Sequence, residues 1–362
     1  VEGDGNYVDY RYQQRCESDW SCLMPQEEPG GGGSGGEIHY GLQLTLFQPY
    51  SDGPPFVKQL YDEGGWDAVG AVYDDPPESS EQVIHPEKYG TEPPVEVDYE
   101  DTSGADWRIL EVPNASVNYD TVGEAGMAVM TLYPFFESGR EVRRDRVQAF
   151  ITGGSALDPY NYSYQATAGW GGDRIYPYVR DDSSETNETG YVWKTVWDTE
   201  RDAAQFEAEY FELLAYYGAA PVDGHVRTFR IPDDQFLGDA FYVNRSGTTV
   251  TIVNAPTVDE LPNVRGGAAP EGEGDLSGTP WGGQAGTTTT TATPTPSDTP
   301  TPADGDDGAD GDGTDGTAGD GTDGGGADGA GSDGDGAADT TTTSGSGPGG
   351  SRCSRRRFGA SR

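Results

Sequence analysis

Apolar residues recur at helical intervals in the stretch after residue 198. The spacing is close to 3.6 residues, and the positions are Ala203, Phe206, Tyr210, Leu213, Leu214 and Tyr217. Thr199 precedes this stretch and Asp202 follows three residues later, which is a weaker form of the capping box found at helix N-termini. Gly218 supplies a stop signal at the other end. The pattern predicts one long amphipathic helix between Thr199 and Gly218.

Two other stretches of the second half alternate with a period of two. In GYVWKTVWD the aromatic side chains fall on alternate places, at Tyr191, Trp193 and Trp197, which is strand spacing. The stretch DAFYVNRSGTTVTIVNAP reads as two strands joined by a turn from Asn244 to Gly247. The second half therefore combines strands with at least one long helix.

The first half has mainly helical patterns. In PPFVKQLYDEGGWDAVGAVYDD the apolar spacing predicts two short amphipathic helices that are separated by a break at Gly64 and Gly65. A further buried helix is predicted from Val122, in VGEAGMAVMTLYPFF. Together these patterns predict an α+β fold, with a mostly helical part over residues 1–135 and an α+β region over residues 136–265.

The periodic apolar pattern stops after residue 265. Residues 266–350 are rich in Thr and Pro and then in Asp and Gly. The segment therefore has almost no apolar side chains to bury, and its Asp carboxylates repel one another. This composition predicts a disordered stalk, and its Thr and Pro clusters are typical of O-glycosylation. Residues 351–362 form a short basic tail, SRCSRRRFGASR.

The charge balance restricts the partners of the chain. Asp and Glu total 63 against 22 Lys and Arg, and the net charge is −41. Such a field repels phosphates, so nucleic acid and anionic membranes are poor partners. Only three residues are Lys, namely Lys58, Lys88 and Lys194. Lys scarcity combined with acidic excess predicts a halophilic protein, and the alternative is an ordinary acidic secreted protein. No run reaches the ~18 apolar residues that a membrane span needs.

Four glycosylation sequons and one cysteine pair point to an exported protein. The sequons begin at Asn114, Asn161, Asn187 and Asn244, and they predict a cell-surface glycoprotein; chance matches are the alternative. Cys16 and Cys22 can close a short disulfide loop in an oxidising compartment, and the alternative is two free thiols. A zinc ribbon would need a second pair of Cys or His, which the sequence lacks.

No complete catalytic constellation is present among the chemically active residues. The three histidines are His39, His85 and His225, and none lies in an HExxH motif. Neither a nucleophile elbow nor a phosphate-binding glycine loop occurs. Four tryptophans are predicted to be core residues rather than ligand platforms: Trp66, Trp170, Trp193 and Trp197.

Four blocks carry a resemblance to a known family: VEGDGNYVDYRYQQRC, PYSDGPPFVKQLYDEGGWDAV, PPESSEQVIHPEKY and GYVWKTVWDTERDAAQFEAEY. Together they resemble a family of haloarchaeal cell-surface proteins with a gluzincin-type zinc metallopeptidase core, and the likeness spans most of residues 1–265. In that family an HExxH helix supplies two His ligands and the catalytic Glu, and a Glu in an LVEGD-like helix completes the zinc site. The resemblance implies that Glu2 is this third ligand, while the HExxH helix would precede Val1.

The resemblance also implies roles for two further residues. His85 would line the cleft and donate a hydrogen bond to an oxyanion. The alternative is a loop-pinning His that bonds to Glu81, Glu87 or Tyr89, and its position before Pro86 makes its backbone non-helical. Asp4 would orient a zinc ligand, or it is a solvated charge on a helix face.

In the family that the chain resembles, the stalk is often followed by an apolar anchor helix. The basic tail stands where that helix is expected, so we interpret it as a frameshifted anchor; the alternative is a genuine basic tail that binds anionic surfaces. The nucleotide sequence distinguishes the two.

Two functions follow from these observations. The first is an incomplete and inactive fragment of a surface zinc metallopeptidase, with zinc as the cofactor of the full-length parent and no cofactor in this chain. The second is a non-enzymatic, stalked surface protein that binds a protein or a glycan. Both place the protein at the cell surface, associated with the S-layer.

Overall fold

The computed structural model describes residues 1–22, 39–104, 106–138, 144–152, 154–180, 188–235 and 237–282. The predicted stalk beyond residue 282, the basic tail and the sequon at Asn187 lie outside these residues. The described part is an α+β structure, as the sequence predicts. The helices are α1 (Glu2–Ser18), α2 (Tyr40–Ser51), α3 (Gly53–Ala71), α4 (Ser80–Ile84), α5 (Gly123–Ser138), α6 (Arg144–Thr152), α7 (Glu200–Tyr216) and α8 (Leu261–Val264).

The strands form one antiparallel sheet in the described part of the chain. Their order across the sheet is β1-β2-β3-β7-β6-β5-β4. The strands are β1 (Trp107–Ile109), β2 (Trp170–Arg180), β3 (Thr189–Trp197), β4 (Ala220–Pro221), β5 (Thr228–Arg230), β6 (Ala240–Ser246) and β7 (Thr249–Ala255). Most neighbouring strands are consecutive in the sequence, but α5 and α6 lie between β1 and β2, and α7 lies between β3 and β4.

Both faces of the sheet are buried. One face carries Trp193, Trp197 and Ile252, and α7 packs on it through side chains such as Phe206 and Leu214. The opposite face packs against α8, the segment after it and residues around β1. The period-two alternation of β3 therefore places its aromatic side chains on the face that α7 covers.

Helices α1 to α6 pack beside the sheet. Tyr7 of α1 lies in a small cluster with Phe56, Val57 and Val69 of α3. Gly3 lies directly against Gly53, and a Cβ atom on Gly3 would overlap the Gly53 backbone. Glycine at both positions thus allows α1 and α3 to approach closely. Among the described residues, no helix is long and apolar enough to cross a membrane.

Several local predictions are confirmed. Helix α7 begins after Thr199, whose hydroxyl accepts a hydrogen bond from the backbone N–H of Asp202. The chain leaves this helix at Gly218, which has a φ of +86°. Helix α3 is interrupted by non-helical backbone at Gly64 and Gly65.

The turn of the predicted hairpin lies nearer the C-terminus than expected. Ser246 pairs with Thr249, so the turn residues are Gly247 and Thr248. Asn244 lies within β6, opposite Thr251. Gly247 has a φ of +59°, a conformation that favours glycine at the first turn position. The strand continues through NRS because cross-strand pairing outweighs the turn preference of Asn244.

Two predictions about the extent of the core are wrong. Residues 266–282 belong to the folded part: Ala268 and Ala269 are buried, and Trp281 stacks on Phe229 with ring centroids 4.5 Å apart. Trp66 is 47 % exposed rather than buried.

The predicted boundary at residue 135 falls within α5, and the described residues belong to one compact unit, Val1–Thr290.

Candidate functional site

A cavity of about 420 Å³ lies between the sheet, α5 and α7, with α2 at its rim. We call it the central cavity. Most of its walls are apolar, and they come from three helices, α2, α5 and α7, and four strands, β2, β3, β6 and β7. The apolar lining includes Val122, Val129, Met130, Ile175, Trp193, Leu213, Leu214 and Phe241. Such a lining can hold an apolar molecule out of water.

Polar side chains gather at one end of the central cavity, which we call the polar end: Tyr191, Tyr210, Asp239 and Asn254. All four line the cavity. Tyr191 on β3 lies opposite Asn254 on β7 in the sheet register. Asn254 in turn donates from Nδ2 to Oδ2 of Asp239, at 3.4 Å. Strand pairing therefore brings together residues that are up to 63 positions apart, from Tyr191 to Asn254.

Two tyrosine hydroxyls meet at the polar end. The hydroxyl oxygens of Tyr191 and Tyr210 are 3.2 Å apart, and either group can be the donor. Burial raises the pKa of Tyr191 to about 12, and the charge of Asp239 adds to this. Burial also raises the pKa of Tyr210 well above its ordinary value. Both hydroxyls are thus protonated at neutral pH and available as hydrogen-bond donors.

Asp239 is the acidic group of the polar end. Burial raises the pKa of its carboxyl, and the hydrogen bond from Asn254 and the charge of Arg230 oppose the increase. Asn254 occupies only Oδ2. Within the described ranges, no side chain or backbone group donates to Oδ1. This oxygen is therefore available to a ligand.

The rim of the cavity is aromatic and partly exposed. The His39 ring stacks on Tyr133 with centroids 4.5 Å apart. Leu42 and Leu237 also line the cavity, and both are exposed. An apolar ligand can reach the interior past these side chains.

His85 has a buried carboxylate as its partner. Its Nε2 lies 3.0 Å from Oε1 of Glu124, a residue of α5 with 0 % exposure. Burial lowers the pKa of His85, but the hydrogen bond and charge of Glu124 raise it by more, so the net change is upward. His85 lines neither the central cavity nor the α1–α3 cavity described below. A loop-pinning His was one of the two alternatives. Of the three partners predicted from local spacing, Glu87 lies 3.9 Å from Nδ1, whereas the closer partner, Glu124, was not predicted.

Lys88 forms a second link between the α4 region and the sheet. Its Nζ lies 2.6 Å from Glu81 Oε1 and 2.8 Å from Asp198 Oδ2, at the end of β3. Burial lowers the pKa of Lys88, but Asp198 and Glu81 raise it by more. Glu81 is almost fully buried, so this ion pair compensates a charge that would otherwise be costly in the interior.

Glu2 lies at the edge of another cavity, of about 330 Å³, between the start of α1 and α3. We call it the α1–α3 cavity. The Glu2 side chain is exposed. Asp4, also in its lining, accepts a hydrogen bond of 2.7 Å from the hydroxyl of Tyr73. No three His, Cys, Asp or Glu side chains lie close enough to hold a metal ion in the part of the chain that the structure describes.

The remaining predicted sites are dispersed over the surface. Cys16 and Cys22 form a disulfide at the end of α1. Asn114 is exposed and has a φ of +65°, whereas Asn161 and Asn244 are half-buried. The geometry thus makes Asn114 the most accessible sequon among the three that the structure describes.

The central cavity was not predicted because its residues are not neighbours in the sequence. The alternation of β3 did indicate that Tyr191 and Trp193 share a face. Asp239 and Glu124 carried no local signal, since an Asp before a strand and a Glu at a helix start are both common on protein surfaces.

Comparison with known proteins gives one family match. Residues 110–265 match the model of a domain of unknown function, DUF8575. The matched segment includes α5 to α7 and β2 to β7, which provide most of the central cavity. No curated protein and no solved structure matches the chain.

Proposed function

We propose that the protein is a non-enzymatic binding protein of the cell surface, and that its central cavity holds a small ligand with an apolar body. The observation that carries this proposal is the cavity itself: about 420 Å³, apolar walls and a polar group at one end. Ligand sites in proteins typically have about 300–1,000 Å³ and combine apolar walls with a few polar groups.

A glycan fits the central cavity poorly. Sugars present hydroxyl groups on all sides, and walls of Val, Leu, Met and Trp side chains would leave most of those groups without hydrogen bonds. A protein or glycan partner, as the sequence suggests, would therefore bind the outer surface. The acidic composition and the exposed sequon at Asn114 support the proposed surface location in a salt-rich environment.

Filling the cavity is expected to abolish binding. Thr45 of α2 lines the central cavity and is not part of the buried core, so Thr45→Trp places a large ring in the space that the ligand would take. We expect the Kd for an apolar fluorescent probe such as Nile red to rise at least about tenfold, which is ~1.4 kcal/mol. Fluorescence titration of the full chain measures this.

Leu46→Trp is the matched control for this experiment. Leu46 lies on the same helix, is 67 % exposed and does not line the cavity. This variant should bind the probe as the parent protein does. Failure of the parent protein to bind the probe saturably, or equal binding by both Trp variants, would contradict the proposal.

A second candidate is a relative of zinc metallopeptidases, as the sequence resemblance implies. The observation that favours it is the position of Glu2, an exposed carboxylate in the first turn of α1 at the edge of the α1–α3 cavity. A zinc ion bound by Glu2 at this position would take its other ligands from another segment. One carboxylate alone does not hold Zn²⁺, which takes three or four protein ligands.

We expect the purified protein to bind no stoichiometric zinc. The measurement is the metal content after dialysis against excess Zn²⁺ and gel filtration, with Glu2→Ala as the comparison. One equivalent of zinc in the parent protein that is lost in Glu2→Ala would show that this expectation is wrong and would favour the metallopeptidase candidate.

A further inference from the structure

We infer that the ligand of the central cavity is an alcohol: an apolar body with one hydroxyl head group, held between the Tyr191–Tyr210 pair and Asp239. This inference rests on the proposed function and names the class of ligand for the same cavity.

The tyrosine pair offers a donor. One of the two hydroxyls donates to the other across 3.2 Å, and the group that accepts keeps its own hydrogen. Within the described residues that hydrogen has no other acceptor, although Tyr210 is buried and Tyr191 is half-buried. An unmade hydrogen bond at a buried hydroxyl is costly, so a ligand oxygen at this point would be stabilised.

Asp239 offers an acceptor at the same end of the cavity. Its Oδ1 receives no hydrogen bond from the described part of the chain, and Asn254 holds the other oxygen. The charge of Asp239 acts on the Tyr191 hydroxyl, which places the two groups in one electrostatic environment. The polar end thus presents one donor and one acceptor.

A hydroxyl group satisfies both, because it donates one hydrogen bond and accepts others. A carboxylate head group would face the carboxylate of Asp239 in a chain of net charge −41, and like charges at short distance repel. An ammonium head group would be attracted by Asp239, but it has three donors and no acceptor, so it would leave the tyrosine hydrogen and two of its own donors unpaired. In an apolar cavity, the cost of removing such a charge from water exceeds the gain from a single ion pair. The three head groups are therefore distinguishable by affinity.

The experiment compares three ligands with the same decyl chain: 1-decanol, decanoate and decylamine. Each displaces Nile red from the full chain at neutral pH, where decanoate is ionised and decylamine is protonated. We expect 1-decanol to displace the probe at a concentration at least about tenfold lower than either charged ligand.

Two variants connect this preference to the polar end. Asp239→Asn removes the repulsive charge and is expected to bring decanoate to within about threefold of 1-decanol. Tyr191→Phe removes a hydroxyl and should weaken 1-decanol about three- to tenfold, with little effect on Nile red. Tyr178→Phe is the matched control, because Tyr178 lies on the opposite face of the sheet and should leave all three affinities unchanged.

The outcomes separate this inference from the proposed function. If Nile red and all three decyl ligands fail to bind, the proposed function is wrong. If Nile red binds but decanoate or decylamine competes as well as 1-decanol, the cavity binds ligands and the assignment to an alcohol is overturned. A preference for 1-decanol that persists unchanged in both Asp239→Asn and Tyr191→Phe also overturns it.

Discussion

Replacing Asp173 with Ala is expected to lower the free energy of unfolding by about 4 kcal/mol, because four buried donors would lose their acceptor. Oδ1 accepts from the backbone N–H of Gly123 and the indole of Trp170, each at 2.9 Å. Oδ2 accepts from the backbone N–H of Val122 at 2.9 Å and the indole of Trp193 at 2.8 Å. The side chain is 3 % exposed, so water cannot readily replace it.

The position of Asp173 explains why this effect should be large. Its carboxylate lies at the N-terminus of α5 and joins that helix to β2 and β3. A negative charge there also interacts favourably with the helix dipole. Burial raises the pKa of the carboxyl, and the four hydrogen bonds oppose this.

Urea denaturation at constant salt measures the change, with two comparison variants. Asp173→Asn keeps the size and one acceptor oxygen, so about half of the loss is expected. Asp120→Ala removes a neighbouring exposed carboxylate and should change stability by less than about 0.5 kcal/mol. If Asp173→Ala were as stable as Asp120→Ala, the linking role of Asp173 would be refuted.

Replacing Asp52 with Asn is expected to make the protein more stable at alkaline pH. Asp52 lies between α2 and α3, is 5 % exposed, and its Oδ2 has no hydrogen-bond partner in the described structure. Burial, together with the charge of Asp158, raises its pKa to about 8. The unfolded chain has a pKa near 3.9 for this group.

The sign of the pH dependence follows from these two values. Between about pH 4 and pH 8 the folded protein binds more protons at Asp52 than the unfolded chain does, so its contribution to stability falls as the pH rises. Asn does not titrate. Relative to the parent protein, Asp52→Asn should therefore gain little at pH 4 and of the order of 5 kcal/mol at pH 9.

Urea denaturation at a series of pH values and fixed ionic strength measures this difference. Asp67→Asn, at an exposed position of α3, is the control and should run parallel to the parent protein at every pH. A constant difference between Asp52→Asn and the parent protein from pH 4 to pH 9 would contradict the prediction.

Short-range patterns predicted the elements that depend on short-range forces. Helix α7 has its cap, its apolar stripe and its stop signal within the twenty residues from Thr199 to Gly218, and the structure confirms each of them. The break at Gly64 and Gly65 and the strand at Tyr191 were predictable for the same reason. Errors arose where neighbours across the sheet competed with local preference, as at Asn244, which pairs with Thr251 instead of turning.

The functional groups depend on contacts between distant segments. The closest side-chain partner of His85 is Glu124, 39 residues away. Local spacing suggested Glu81, Glu87 or Tyr89, and of these Glu87 makes the longer contact of 3.9 Å. The end of the fold was missed because a Gly-rich segment with a single Leu and a single Trp after residue 265 has no period, yet Trp281 fills a space beside Phe229. Only packing reveals such a space.

The sequence by itself determined the α+β class, helices α3, α5 and α7, strands β3, β6 and β7, and the acidic character, because each depends on composition or on neighbours along the chain. The tertiary structure alone decided the central cavity and its polar end. Tyr191, Tyr210, Asp239 and Asn254 meet there through sheet register and helix packing. These interactions involve residues far apart in the chain, and so no local pattern carries them.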